Sequence, residues 1–225
     1  MFILTVSAAS GLILAACENS GPLEQQIVLT NGHIYSLKWS DPDPDGRPAP
    51  DAPFENGIWY PDAEAIYISG NKILYVGTNE GALAQAHSSA EIIDLSGGVI
   101  IPGTPESQGQ HLLADLYTAI TRPIRDNDHD AARSLEKAMT PEEALRTFTI
   151  WPARASGSDA ATSARKAGNP AHLTVLSVDP LNILLPGEEG IGIPASDLLN
   201  GHIVMTMNGG KIVYREQAAN TPEDS

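Results

Sequence analysis

Three short stretches of this chain hold the residue types that could do chemistry. Glu106, His111, Asp126, Asp128, His129 and Asp130 place imidazoles and carboxylates in the middle of the sequence. A hydrolytic zinc site needs three or four such groups converging on one ion, with a position open for water. Their spacing matches no ligand pattern, so His111, His129 and Glu106 are weak metal candidates whose plainer reading is a solvated surface. Asp41-Pro-Asp-Pro-Asp-Gly46 is the second stretch. Asp41, Asp43 and Asp45 set oxygens at alternate positions with Gly sixth, as in the first half of a calcium loop. Ala52 stands where such a loop needs a glutamate, and an acidic Pro-rich turn is the alternative. The third stretch is Leu14-Ala15-Ala16-Cys17, which closes an apolar run over residues 2–16. A Gly-x-Ser-x-Gly nucleophile motif is absent, and no Gly-rich loop opens a helix to cradle phosphate.

Cys17 is the only cysteine, which rules out an intrachain disulfide. The apolar run before it is too short to span a bilayer as a helix. It fits a signal peptide over residues 1–16 with a small-residue cleavage site. The Leu-Ala-Ala-Cys tetrad resembles a bacterial lipobox, which implies lipidation at Cys17 and a polar linker over 17–26. Glu18, where Asp would retain the protein at the inner membrane, permits sorting to the outer membrane. The expected location is therefore the bacterial cell envelope, lipid-anchored on the periplasmic face. No Lys or Arg precedes the apolar run, a departure from the usual signal. The alternative is an apolar N-terminal strand or helix with a buried free cysteine.

Bulk composition narrows the partners. The 225 residues suit one or two domains, and 42% hydrophobic content allows a packed core. A net charge of −15, from 13 basic against 28 acidic residues, argues against nucleic-acid binding, because phosphates would go unneutralised. It also disfavours electrostatic attraction to anionic lipid.

The elements that must position these groups are mostly strands. Ile27–Leu37 is β-branched and apolar around the turn signal Asn31-Gly32. Lys38–Asp62 is crowded with Pro, Gly and Asp and reads as an exposed loop, flanked by Trp39, Trp59 and Tyr60 as a surface aromatic patch or as packing against the core. Residues 65–77 form a hairpin about Gly70-Asn71, with Ile66, Ile68, Ile73 and Val76 inward. Short strands follow at 91–95 and 98–101, after one or two helical turns at 80–86. Leu112, Leu113, Leu116, Tyr117 and Ile120 recur at helical spacing. Thr140-Pro141-Glu142-Glu143 opens a helix with a capping box and Pro at its first position. That helix is expected to run to about Ala155. Strands return at 172–178, and 203–214 makes a closing hairpin about Asn208-Gly209-Gly210. Three hairpins thus share an Asn/Gly turn, and the tail 215–225 reads as disordered.

Taken in order, these segments resemble the amidohydrolase superfamily. Residues 65–103 (AIYISGNKILYVGTNEGALAQAHSSAEIIDLSGGVIIPG) are similar to its opening strands, with the Val-Gly, the Ile-Asp-Leu-x-Gly and the strand ending in Pro-Gly. Residues 140–157 are similar to its last barrel helix. Residues 166–181 are similar to a late strand, with His172 where Asp is usual, and 202–214 to its closing hairpin. LADLYTAITRP (113–123) resembles the branch of N-substituted formamide deformylases. The resemblance implies a β-sandwich built from both chain ends, flanking a metal-bearing barrel. It implies zinc or another divalent metal and hydrolysis of C–N bonds in small amide-like molecules.

The centre departs from that pattern. The family's His-x-His after the Pro-Gly is absent from the whole chain, and Pro105 stands in the place of the last metal-site aspartate. About 70 residues lie from Gly103 to His172, whereas a (β/α)8 barrel needs at least about 200. The expected fold is therefore α+β and mostly β. A composite β-sandwich over 27–103 and 166–214 carries a short helical insert, 104–165, in place of the barrel. The expected function is that of an inactive hydrolase relative, a pseudoenzyme, with no cofactor. The alternative is a membrane-tethered, non-catalytic binding lipoprotein. A third possibility is a homo- or hetero-oligomer in which a partner subunit completes a site for a small-molecule substrate.

Overall fold

The computed structural model describes residues 24–103, 111–121, 138–155, 167–185 and 187–216. Cys17, Glu106 and His129 lie outside them, as do the signal segment and residues 217–225.

The N-terminal half contributes β1 (Gln26–Thr30), β2 (His33–Ile34), β3 (Phe54–Glu55), β4 (Ile58–Trp59), β5 (Ala65–Ser69), β6 (Lys72–Gly77), α1 (Asn79–Gln85), β7 (Glu91–Asp94) and β8 (Val99–Pro102). Three helices follow, α2 (Leu112–Thr121), α3 (Pro141–Phe148) and α4 (Ile150–Ala155). The C-terminal half adds β9 (Leu173–Leu176), β10 (Ile183–Leu184), β11 (Ile193–Pro194), a 3-10 turn at Ala195–Leu199, β12 (Ile203–Asn208) and β13 (Lys211–Arg215). Two sheets dominate, one ordered β6-β5-β1-β7 and the other β13-β12-β9-β8-β2. No ring of parallel strands forms among the described residues. The α+β, mostly β architecture is thus as the sequence implies.

The sandwich core lies between the two sheets. Ile27, Leu29, Ile66, Ile68, Ile73 and Ile93 from the first sheet meet Ile34, Ile100, Leu173, Val175, Met205 and Met207 from the second. Alternation along each strand sends the intervening residues to the outer faces. Outside the first sheet, Val28, Ala65 and Tyr67 pack on Ala82 of α1. Outside the second, Val99, Ile101 and Leu176 pack on Leu112, Leu116, Leu145 and Ile150 of the helices. β8 and β9 are consequently buried along their whole length. That fits the unbroken apolar run of β8, and it buries Thr174 within β9 as well.

Asn31-Gly32 does not close a hairpin, contrary to the sequence reading. β1 pairs parallel with β7, and β2 pairs parallel with β8. The two chain segments cross side by side from one sheet to the other. Asn31 takes φ +55° at this step, and Ser96-Gly97 take +48° and +88° on the neighbouring segment. The Asn31 side chain bonds Asp94 and Asn79, which fastens the crossing. A hairpin does form at the overlooked dipeptide Asn56-Gly57, with φ +52° and +83° between β3 and β4; positive φ at both central residues is the type I′ signature.

Two further expectations are corrected. The helix starting at Thr140 has its capping box, but it stops at Phe148, and α4 restarts at Ile150. Pro152 lacks an N–H and would clash with the Phe148 carbonyl in a continuous helix. The break puts Pro152 in a first turn, where no such bond is needed. The segment 38–62 is not simply an exposed loop either: Trp39 and Trp59 are 4% and 6% exposed and belong to the helical-side core. Arg215 and Glu216, read as tail, extend the closing hairpin and bond Glu91 and the Val204 carbonyl.

Double-sided burial makes the second sheet sensitive. Ile101→Ala is expected to lower unfolding free energy by about 2–5 kcal/mol in urea titration. Val213→Ala, 56% exposed on β13, is expected to change it by less than about 0.5 kcal/mol.

Candidate functional site

The most chemically loaded cluster centres on Arg146 of α3, which is wholly buried. Spacing of four residues puts Glu142 on the same helix face, and Arg146 Nε donates to Glu142 Oε1 at 2.8 Å. The other guanidinium nitrogens reach the 38–62 segment. Nη1 donates to Asp41 Oδ1 at 2.8 Å, and Nη2 donates to the Trp39 and Ser40 carbonyls at 3.1 and 3.0 Å. The guanidinium also lies 5.4 Å from the Trp39 ring centroid, within cation–π reach. Trp39 Nε1 closes the set by donating to Glu142 Oε1 at 2.7 Å. Glu142 Oε2 is buried and has no hydrogen-bond partner. Burial pushes the Glu142 carboxyl above its ordinary range, against the pull of Trp39 and Arg146. For Asp41, burial acts upward too, but the Trp151 indole N–H and the Arg154 and Arg146 cations hold its carboxyl below the usual range.

A second network ties the strand ends to β4. The Tyr35 hydroxyl donates to Asp179 Oδ2 at 2.8 Å. Asn182 Nδ2 donates to that same oxygen and to the Trp59 carbonyl, at 2.8 and 2.9 Å, while the Trp59 N–H donates to Asn182 Oδ1 at 2.8 Å. Asn182 thus reads both backbone groups of Trp59. Burial first, then the Asp179 carboxylate, raises the Tyr35 hydroxyl far above its usual value of 10.0.

Of the residues singled out from sequence, His111, Asp41, Asp43 and Asp45 are described. His111 is exposed immediately before α2. Asp41 serves two arginines, Arg146 and Arg154. Asp43 accepts the Asp45 and Arg47 backbone N–H groups, and Asp45 pairs with the Arg47 side chain. Among the described residues no three His, Cys, Asp or Glu groups are placed to hold a metal. One grouping escaped the sequence reading. Ser177 Oγ lies 3.3 Å from His202 Nδ1, and His202 Nε2 lies 2.9 Å from Glu216 Oε2. Its order resembles a nucleophile, base and orienting acid. Yet Ser177 Oγ accepts the His202 backbone N–H at 2.9 Å, substituting for a ladder carbonyl at the strand end, and all three residues are exposed. The arrangement finishes a sheet and encloses no substrate.

No family model matches the chain, and no curated relative does. Among solved structures it is similar to an uncharacterised metal-dependent hydrolase from Pyrococcus furiosus. Identity is 25% over 43% of this chain and 16% of that one, with a TM-score of 0.25. It is similar to an amidohydrolase at 24% identity over 38% and 19% of the two chains, TM-score 0.28. A D-hydantoinase (dihydropyrimidinase) from Thermus sp. matches at 17% identity over 44% and 19%, TM-score 0.21. The chain spans less than a fifth of the length of each.

Two measurements probe these networks. Arg146→Met strands Glu142 as a buried, half-paired carboxylate and is expected to cost about 3–5 kcal/mol in chemical denaturation; Glu142→Leu in the same chain is expected to recover much of that loss. The second concerns alkaline pH. A raised folded pKa means that the Tyr35 contribution is complete below pH 10.0 and is lost as pH rises beyond it. Stability is expected to fall there by about 1.4 kcal/mol per pH unit more steeply in the native chain than in Tyr35→Phe, read from denaturation midpoints at successive pH values.

Proposed function

We propose that this chain is a non-catalytic relative of the amidohydrolases, tethered to the bacterial envelope through lipid on Cys17. It keeps the composite sandwich and does without the metal-bearing barrel. Hydrolysis of C–N bonds is then the ancestral chemistry, and binding is what the chain retains.

The observation that carries this reading is the pairing of β8 with β9. Val99–Pro102 lies antiparallel to Leu173–Leu176, hydrogen-bonded along its length. These strands bound the interval in which the family pattern places its barrel. Among the described residues that interval holds only α2, α3 and α4. The outer face of the pair is filled by Leu112, Leu116 and Leu145, each fully buried. The absence of His-x-His supports the same reading, since a hydrolytic zinc site needs at least three converging protein ligands. The tether rests on the Leu-Ala-Ala-Cys tetrad; no helix among the described residues is long and apolar enough to cross a membrane.

The test is metal analysis of the purified protein together with an amide-hydrolysis screen. The expected outcome is zinc well below one equivalent and no turnover above buffer. Stoichiometric zinc with turnover overturns the reading. Activity appearing only on mixing with a second protein favours completion of the site by a partner. Labelling with radioactive palmitate, lost in Cys17→Ala, checks the anchor.

A further inference from the structure

Three aromatic rings of the 38–62 segment, Trp39, Trp59 and Phe54, form a continuous ladder. Trp39 and Trp59 centroids are 5.6 Å apart, and Trp59 and Phe54 are 5.0 Å apart, all tilted. The inner end already carries a cation, the Arg146 guanidinium over Trp39. The outer end opens at Phe54, 37% exposed, into a cleft of about 600 Å³ between the β3–β4 hairpin, the start of α3 and the loop after β10. Trp59, Phe54, Ile183 and Ile191 supply its apolar wall. Glu142, Glu188 and Glu189 line it as well, and among the described residues no Lys or Arg does.

We propose that this cleft binds a small organic cation: a primary ammonium on an aromatic or branched apolar body. Three observations converge on that class. The volume is that of a small-molecule site with mostly apolar walls and few polar groups. The aromatic faces and the carboxylates both favour positive charge, and among the described residues nothing basic lines the wall to attract an anion. Glu142, 1% exposed, stands in the wall with Oε2 unpartnered. A buried acceptor without a donor is costly, and a ligand N–H would relieve it. Glu188 Oε2 already accepts the Leu185 N–H at 2.9 Å, which fixes that side chain beside the cleft. Asn182 holds Trp59 by both backbone groups, so the apolar wall is set in advance of binding.

Calorimetric titration with 2-phenylethylamine tests this, with 2-phenylethanol and phenylacetate as neutral and anionic counterparts of the same body. The ammonium is expected to bind saturably, and the other two about tenfold more weakly or not at all. Glu188→Gln with Glu189→Gln, both at the exposed rim, is expected to weaken the amine about tenfold while thermal unfolding is unchanged. Phe54→Ala is expected to weaken it as well. Equal binding of amine and alcohol, absence of saturation, or indifference to these substitutions overturns the proposal. The cleft owes nothing to a metal: zinc and turnover decide the reading above, and amine binding decides this one.

Discussion

The second sheet has to be covered on both faces, and the rest of the molecule follows from that requirement. Its central strands β8 and β9 are buried at every position, with apolar side chains on both faces, so neither side faces water. The first sheet covers one side. The other would expose Val99, Ile101 and Leu176, a contiguous patch of the kind that drives association. Three short helices and a loop carrying two tryptophans do the covering. None of these helices exceeds ten residues, too short to be stable alone in water. They are held by tertiary packing, and the sheet face is what they pack on.

Arg146 converts that packing into a specific arrangement. A buried guanidinium is tolerable only when its donors are met. Here they are met by Glu142 on its own helix and by Asp41, Trp39 and Ser40 on a segment more than 100 residues away. The observed placement of the 38–62 segment presents two carbonyls, a carboxylate and an indole ring to it at once. The prolines and glycines of that segment made it look like surface. Its two tryptophans and the charge on Arg146 bring it inside.

Much of the sandwich was legible because its signals are local. Alternating apolar runs, the capping box at Thr140 and the Asn-Gly-Gly turn at 208–210 each specify one element through short-range physics. What escaped was set by distant partners. Asn31-Gly32 has the composition of a hairpin turn, but its strands join different sheets, a choice made by pairing with β7 and β8. The break at Thr149 was written in Pro152, whose cost in a continuous helix outweighs the periodicity around it. Among the site residues, spacing alone suggested a cation at Asp41, Asp43 and Asp45. Arg146 and Arg154 pair with the first, and Arg47 engages the others. The cleft left no linear pattern, since its walls come from three separated segments.

The two networks divide the work between stability and geometry. Around Arg146, Glu142 and Asp41 pull in opposite directions with pH. A carboxyl held above its ordinary range favours the folded state when protonated, and one held below favours it when ionised. The two contributions therefore have opposite signs as pH falls. The Tyr35–Asp179–Asn182 network has a different task. Its hydrogen bonds end on the backbone of Trp59, not on its ring. Backbone anchoring fixes where the indole sits while leaving its ring to pack beside Trp39 and Phe54. A wall made this way is rigid without being satisfied, and Glu142 Oε2 beside it keeps an unmet acceptor. Rigidity of the rings and an open valence for hydrogen bonding are together what a recognition surface requires, and both arise here from the same residues that close the core.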